Sequence, residues 1–110
     1  MSRTRYRVAW TEGAVRDLEE IAAWLAQDSP VAARRLVMRL RKRAGTLVGS
    51  PFRGRVVPEL SKLGVRDFRE LVVRPYRLMY RVEDKNVFVL CVLDDRRNLE
   101  DILLERLVRD

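Results

Sequence analysis

Apolar residues recur at every second position near the start of the chain, at every third or fourth position from 14 to 47, and in extended runs from 71 to 93. Tyr6, Val8 and Trp10 alternate with polar or small residues, which predicts a first strand with one buried face. Thr11 then offers an N-cap oxygen and Glu12 places negative charge in the first turn, so a helix starts there. Ala14, Leu18, Ile21, Ala22 and Leu25 form its stripe through roughly Ala26, with Arg16, Asp17, Glu19 and Glu20 largely off it. Ser29-Pro30 is a second start signal, a capping hydroxyl followed by proline at the first helical position. The second helix has the stripe Ala33, Leu36, Val37, Leu40, Ala44 and Leu47. Arg35, Arg39 and Lys42 project from the opposite side, and Arg34, Arg41 and Arg43 flank them. So short a connection predicts an antiparallel helical hairpin.

Gly49-Ser50-Pro51 ends the hairpin. In Val56-Val57-Pro58-Glu59-Leu60 the proline predicts an edge or irregular strand, and Ser61 to Asp67 reads as a loop. Leu71 to Val73, Tyr76 to Val82 and Val87 to Leu93 are rich in β-branched and aromatic residues, and Pro75 and Glu83-Asp84-Lys85-Asn86 separate them. Three antiparallel strands in series follow. In the middle strand Tyr76, Leu78, Tyr80 and Val82 share an apolar face, leaving Arg77, Met79 and Arg81 on a face that reads as basic. A last helix is expected from about Leu99 to Val108, capped by Asn98, with Ile102, Leu103, Arg106 and Leu107 on its packing face. The order β-α-α-β-β-β-α describes an α+β fold, with a mostly antiparallel sheet packed against a helical hairpin and a C-terminal helix.

A chain of 110 residues has room for a single domain, 1–110, with one core that needs no metal or disulfide. Its 23 Lys and Arg against 16 Asp and Glu leave a net charge of +7, which favours a polyanion or an acidic partner. Histidine is absent, and with it the usual general base near neutral pH. The lone Cys91 lies in the most continuous apolar run and reads as a core residue. No metal site and no cofactor are expected. Asp94-Asp95-Arg96-Arg97 reads as a turn with local ion pairs, and Trp10 and Trp24 read as core or core-edge residues. No signal-peptide core or membrane span is evident, so a soluble cytoplasmic protein is expected.

The Pro75-Tyr76-Arg77-Leu78…Tyr80-Arg81-Val82 strand, the apolar strand after it and Asp95-Arg96-Arg97-Asn98-Leu99 resemble the RelE/ParE superfamily of bacterial toxins. Ala14…Asp17-Leu18…Ile21, Ser29-Pro30…Ala33, Leu47…Pro51…Gly54-Arg55 and Arg69-Glu70-Leu71 extend the similarity over nearly the whole chain. The resemblance implies a compact sheet carrying an α-hairpin, and an antitoxin that binds and neutralises the protein. RelE-like members cleave mRNA on the ribosome with basic strand residues and typically a Tyr or His near the C-terminus. Here Arg96-Arg97 is followed by Leu, acids and apolar residues, and no Tyr lies beyond Tyr80.

The long hairpin with Asp28-Ser29-Pro30 between its helices is more similar to ParE-like members, which are described as poisons of DNA gyrase. The expectation is a ParE-like gyrase poison without catalytic residues, neutralised by a cognate ParD-like antitoxin in a toxin–antitoxin hetero-oligomer. The alternative is a RelE-like ribosome-dependent mRNA endoribonuclease. Arg77, Arg81, Leu18, Leu25, Leu36 and Leu40 are the expected antitoxin contacts. Arg35, Arg39, Lys42, Arg96, Arg97, Arg106 and Arg109 are the expected target contacts. Direct contact with nucleic acid is expected only as part of a gyrase–DNA complex. A helix-turn-helix reader is disfavoured, because the second helix lacks Asn or Gln to read adenine.

Overall fold

The computed structural model describes residues 4–96 and 99–108. A five-stranded sheet is built from β1 (Arg7–Trp10), β2 (Arg55–Val56), β3 (Phe68–Val73), β4 (Tyr76–Glu83) and β5 (Asn86–Asp94), in the spatial order β1-β5-β4-β3-β2. Only β1 runs parallel to its neighbour, β5; the remaining pairs are antiparallel. Helices α1 (Glu12–Ala26) and α2 (Pro30–Gly45) form the hairpin. Both start where the capping signals place them: the Thr11 hydroxyl accepts the Ala14 N–H, the Ser29 hydroxyl accepts that of Ala32, and Pro30 sits in the first turn. The chain belongs to the α+β class, a mostly antiparallel sheet packed against a helical hairpin and C-terminal helical turns.

Three features depart from expectation. Pro58 does not sit in a strand; after two residues of β2 it opens a single helical turn, α3 (Pro58–Ser61). Proline at that position loses no helical hydrogen bond, so the residue that weakens a strand starts a helix. The C-terminal helix is also irregular, one α-turn in α4 (Glu100–Leu103) followed by a π-helical turn over Leu104–Val108. The expected Asn98 cap lies outside the described residues, as does the packing of the Leu107 side chain.

The third departure concerns the sheet. Its hairpin side buries Ala14 and Leu18 of α1, Leu36, Leu40 and Ala44 of α2, and Leu71, Val73, Tyr76, Leu78 and Tyr80 of the strands. The opposite side, expected to be basic and open, holds a second core: Val57, Leu60, Phe68, Met79, Cys91, Leu93, Leu99 and Leu103. α3 and the C-terminal turns cover it, so the sheet is buried on both faces. Along β5 the pairing jumps from Tyr80–Val89 to Met79–Cys91, leaving Leu90 as a bulge. The bulge flips the alternation: Val87, Val89 and Val92 face the hairpin, whereas Cys91 and Leu93 face the second core. That flip, with burial on both sides, is the physical reason the Val87 to Leu93 run is continuously apolar.

Candidate functional site

On the sheet face away from the hairpin, Glu70 of β3 lies directly across from Arg55 of β2 and one diagonal step from Arg77 of β4, which is opposite Val72. Both arginines bind it: Arg55 Nε donates to Oε2 at 2.5 Å and Arg77 Nε to Oε1 at 2.6 Å. α3 brings Glu59 over the top, where Arg77 Nη1 and Nη2 donate to its two oxygens at 2.6 and 2.7 Å. Every nitrogen of the Arg77 guanidinium is thus engaged. Two carboxylates balance two guanidinium groups in a network whose centre is closed to solvent, the Glu70 side chain being 0% and that of Arg77 7% exposed. Bidentate, charge-assisted bonding offsets the desolvation of such a cluster. The Arg77 bonds hold the Glu59 carboxyl below its ordinary value, against the opposing effect of burial, and Arg77 itself is driven further toward its charged form.

Arg77, expected as an antitoxin contact, is held by Glu70 and Glu59 with little of its side chain open to solvent. A basin of about 520 Å³ above it is lined by Arg55, Val72, Arg74, Arg77 and Asp95, and there Arg74 lies 3.6 Å from Asp95. Burial raises the Tyr76 and Tyr80 hydroxyls above their ordinary value, and the Tyr80 oxygen accepts the Gly54 N–H at 2.9 Å inside the protein.

A second concavity, about 610 Å³, opens between α1 and the C-terminal turns. Ile21, Trp24 and Ile102 supply an apolar wall, and Asp17, Asp94, Arg96 and Arg106 a charged one. Asp17 fixes this corner: it accepts both Arg106 Nη groups at 3.1 and 2.9 Å and the Val92 N–H at 3.0 Å. The Leu90 bulge turns its carbonyl toward Arg106 Nη2, 3.4 Å away. Trp24, expected in the core or at its edge, is instead 59% exposed on the wall of this cleft. Arg96 is bound to Asp94 through two guanidinium nitrogens, the local ion pairing expected of that turn.

Of the expected antitoxin contacts, Leu18, Leu36 and Leu40 are buried against the sheet and Leu25 is half-buried beside them. The apolar stripe of the hairpin is thus packed into the core between the helices and the sheet. Arg81 remains accessible, with Nη2 3.2 Å from Glu83. Its Nε is buried and has no hydrogen-bond partner among the described residues. Of the expected target contacts, Arg35, Arg39 and Lys42 are exposed along the outer side of α2. Arg106 is tied to Asp17, and Arg97 and Arg109 lie outside the described residues. Glu59, Glu70, Arg55 and Asp17, which organise both concavities, carried no functional assignment in the sequence. The one available signal was Pro58-Glu59, which also fits a helix start with an acid in its first turn.

The family profile described as "ParE toxin of type II toxin-antitoxin system, parDE" matches residues 8–99. Toxin RelE2 of Caulobacter vibrioides is 39% identical over 85 residues, covering 76% of this chain and 89% of that protein. Among solved structures, the chromosomal ParDE system from P. aeruginosa has a TM-score of 0.67 at 21% identity, covering 83% of this chain and 97% of that one, a likeness of fold. A chain of the toxin–antitoxin complex RelBE2 from Mycobacterium tuberculosis has a TM-score of 0.61 at 26% identity, covering 84% and 94% respectively.

Proposed function

This chain belongs to the family of ParE toxins of type II toxin–antitoxin systems, and on that premise we propose that it poisons DNA gyrase by binding it and does not cleave RNA. The observation that carries this reading is the closure of Arg77 by Glu59 and Glu70. Phosphodiester cleavage requires a cation open to the scissile phosphate and groups that move protons near neutral pH. Here the central arginine of the sheet is already neutralised, histidine is absent, and burial raises the hydroxyls of both strand tyrosines. The reading is surface contact, which the exposed cations of α2 offer together with Arg74, Arg81 and Arg96.

Neutralisation by a ParD-like antitoxin, in a hetero-oligomer in the cytoplasm, fits the same surfaces. The cleft of Ile21, Trp24 and Ile102 supplies the apolar anchors that the buried leucines cannot. No helix among the described residues is long and apolar enough to cross a membrane. The alternative, ribosome-dependent mRNA cleavage, is favoured by the name of the relative Toxin RelE2.

Two assays on the purified full-length protein separate the readings. Supercoiling by gyrase is expected to fall, and cleaved DNA to accumulate, as toxin is added. Primer extension on translating ribosomes is expected to show intact mRNA. Unchanged supercoiling at saturating, folded toxin removes the gyrase reading, and codon-phased cuts install the nuclease one.

A further inference from the structure

We propose that the outer side of α2 is a contact for the sugar-phosphate backbone of double-stranded DNA, made without regard to base sequence. The proposal rests on the gyrase reading and deepens it: the component that this helix meets is the DNA itself. Over its 16 residues α2 carries Arg34, Arg35, Arg39, Arg41, Lys42 and Arg43 and no acidic residue. Six of the net seven positive charges of the chain therefore sit on one helix, and the rest of the molecule is nearly neutral.

Geometry directs these charges outward. Buried Ala33, Leu36, Leu40 and Ala44 define the inner side of the helix. With about 100° between successive residues, the centre of the opposite side runs Val31, Arg35, Met38 and Lys42, and Arg34 and Arg39 border it. All six of these positions are exposed. Elsewhere in the molecule Arg55, Arg77, Arg81, Arg96 and Arg106 are paired with carboxylates. Among the described residues, no carboxylate pairs with the cations on the outer side of α2. Arg35 and Arg39 are like charges one turn apart, as are Arg39 and Arg43, an arrangement that weakens a helix unless an external anion relieves it.

The shape of this surface selects the kind of polyanion. An acidic peptide also pairs with an arginine cluster, but a strap that stays bound adds apolar anchors set in pockets. Val31 and Met38 are two exposed apolar side chains seven residues apart, neither of which lines a pocket, and the pockets that touch the helix are lined at Arg41 on one flank and at Gly45 at its end. A duplex needs no groove. It presents one phosphate charge per roughly 1.7 Å of axis and gains affinity by releasing counterions to any row of cations that lies along it. α2 carries no Asn or Gln to read adenine and no Ser or Thr, and its arginines stand in a row along the helix, as a contact with successive phosphates requires.

The test uses the full-length protein, a labelled duplex of about 20 base pairs, and no gyrase, so that it is independent of whether gyrase is the target. Fluorescence anisotropy from about 50 to 200 mM salt is expected to give a linear dependence of log affinity on log salt, with a slope of about −3 to −4 if Arg34, Arg35, Arg39 and Lys42 engage. The triple variant Arg35→Gln, Arg39→Gln, Lys42→Gln is expected to reduce that slope by about 2 to 3 and to weaken binding at least about tenfold at low salt. Its circular dichroism and thermal midpoint should match or exceed those of the parent, because repulsion is relieved. A triple variant that binds duplex like the parent overturns the proposal. So does polyglutamate of equal charge competing as well as DNA, which would assign the ridge to an acidic protein. Duplex binding without any effect on supercoiling would sustain the contact and remove only the gyrase reading.

Discussion

Asp17 of α1 and Arg106 of the C-terminal turns, 89 residues apart, meet through two guanidinium–carboxylate bonds, and this pair fastens the end of the chain over the sheet. Gly13 makes room for it, since a Cβ there would stand 3.0 Å from Arg106 Nη2. The pair is partly exposed, so its energy lies between that of a surface ion pair and a buried one. Arg106→Ala is expected to cost about 1–2 kcal/mol in urea unfolding. The effect should concentrate locally, with amide exchange in α4 accelerated more than in the hairpin. Uniform acceleration would mean that the C-terminal turns are not held separately by this contact.

Gly54 occupies a position that no other residue fits. A Cβ would lie 2.5 Å from the Glu70 carbonyl oxygen and 2.6 Å from the Tyr80 hydroxyl. The first obstacle is backbone in the middle of the sheet and cannot yield cheaply. Gly54→Ala is therefore expected to destabilise by about 2–3 kcal/mol. Tyr80→Phe removes only the hydroxyl that accepts the Gly54 N–H and should cost about 1–2 kcal/mol. Combining the two should cost less than their sum, because deleting the hydroxyl also removes one clash. Full additivity in a double-mutant cycle would contradict this reading.

The Glu59–Arg77–Glu70 network predicts an acid-sensitive stability. The Arg77 hydrogen bonds depress the Glu59 carboxyl below its usual 4.5, so below that pH the unfolded chain binds the proton more readily than the folded one. The contribution of the pair is fully present above about pH 4.5 and is lost as pH falls through the folded value. Glu59→Gln should flatten the acid limb of a pH–stability curve while changing the neutral plateau less. Arg77→Ala leaves buried Glu70 with Arg55 as its remaining partner and Glu59 with none of its Arg77 bonds, and should cost about 2–3 kcal/mol at neutral pH. Equal acid slopes in the parent and in Glu59→Gln would exclude Glu59 as the titrating group.

The helical hairpin was legible because its signals are local: Thr11 and Ser29-Pro30 fix the starts, and the 3.6-residue period fixes the inner faces. What periodicity withholds is what covers an apolar face. Leu18, Leu36 and Leu40 satisfy a docking surface and a core equally well along the chain, and the sheet claims them. The same limit hid the second core, because Arg77 and Arg81 beside Met79 read as a basic face until Glu59 and Glu70 are seen to neutralise the first of them. The Leu90 bulge has no local marker; it shows only as a strand too apolar for simple alternation. Glu59 was obscured by Pro58, which is compatible with an edge strand and with a helix start, and only the path of the chain decides between them.

Cys91 offers a direct view of how the C-terminal turns open. It is buried in the second core beneath Leu99 and Leu103, and burial pushes its thiol up to about 12. At pH 8 almost none of it is thiolate, and none of it is reachable from solvent in the closed state, so reaction with a disulfide reagent requires opening. The folded protein should therefore label many times more slowly than the urea-unfolded chain, at a rate set by the opening equilibrium. Arg106→Ala loosens the cover without touching the hairpin, and should accelerate labelling by about five- to thirtyfold if the cost of about 1–2 kcal/mol falls on local opening. Tyr80→Phe, on the other side of the sheet, lowers global stability by a similar amount and should leave the labelling rate near that of the parent. If both variants accelerate labelling equally, Cys91 reports global unfolding, and the C-terminal turns are part of one cooperative unit with the hairpin.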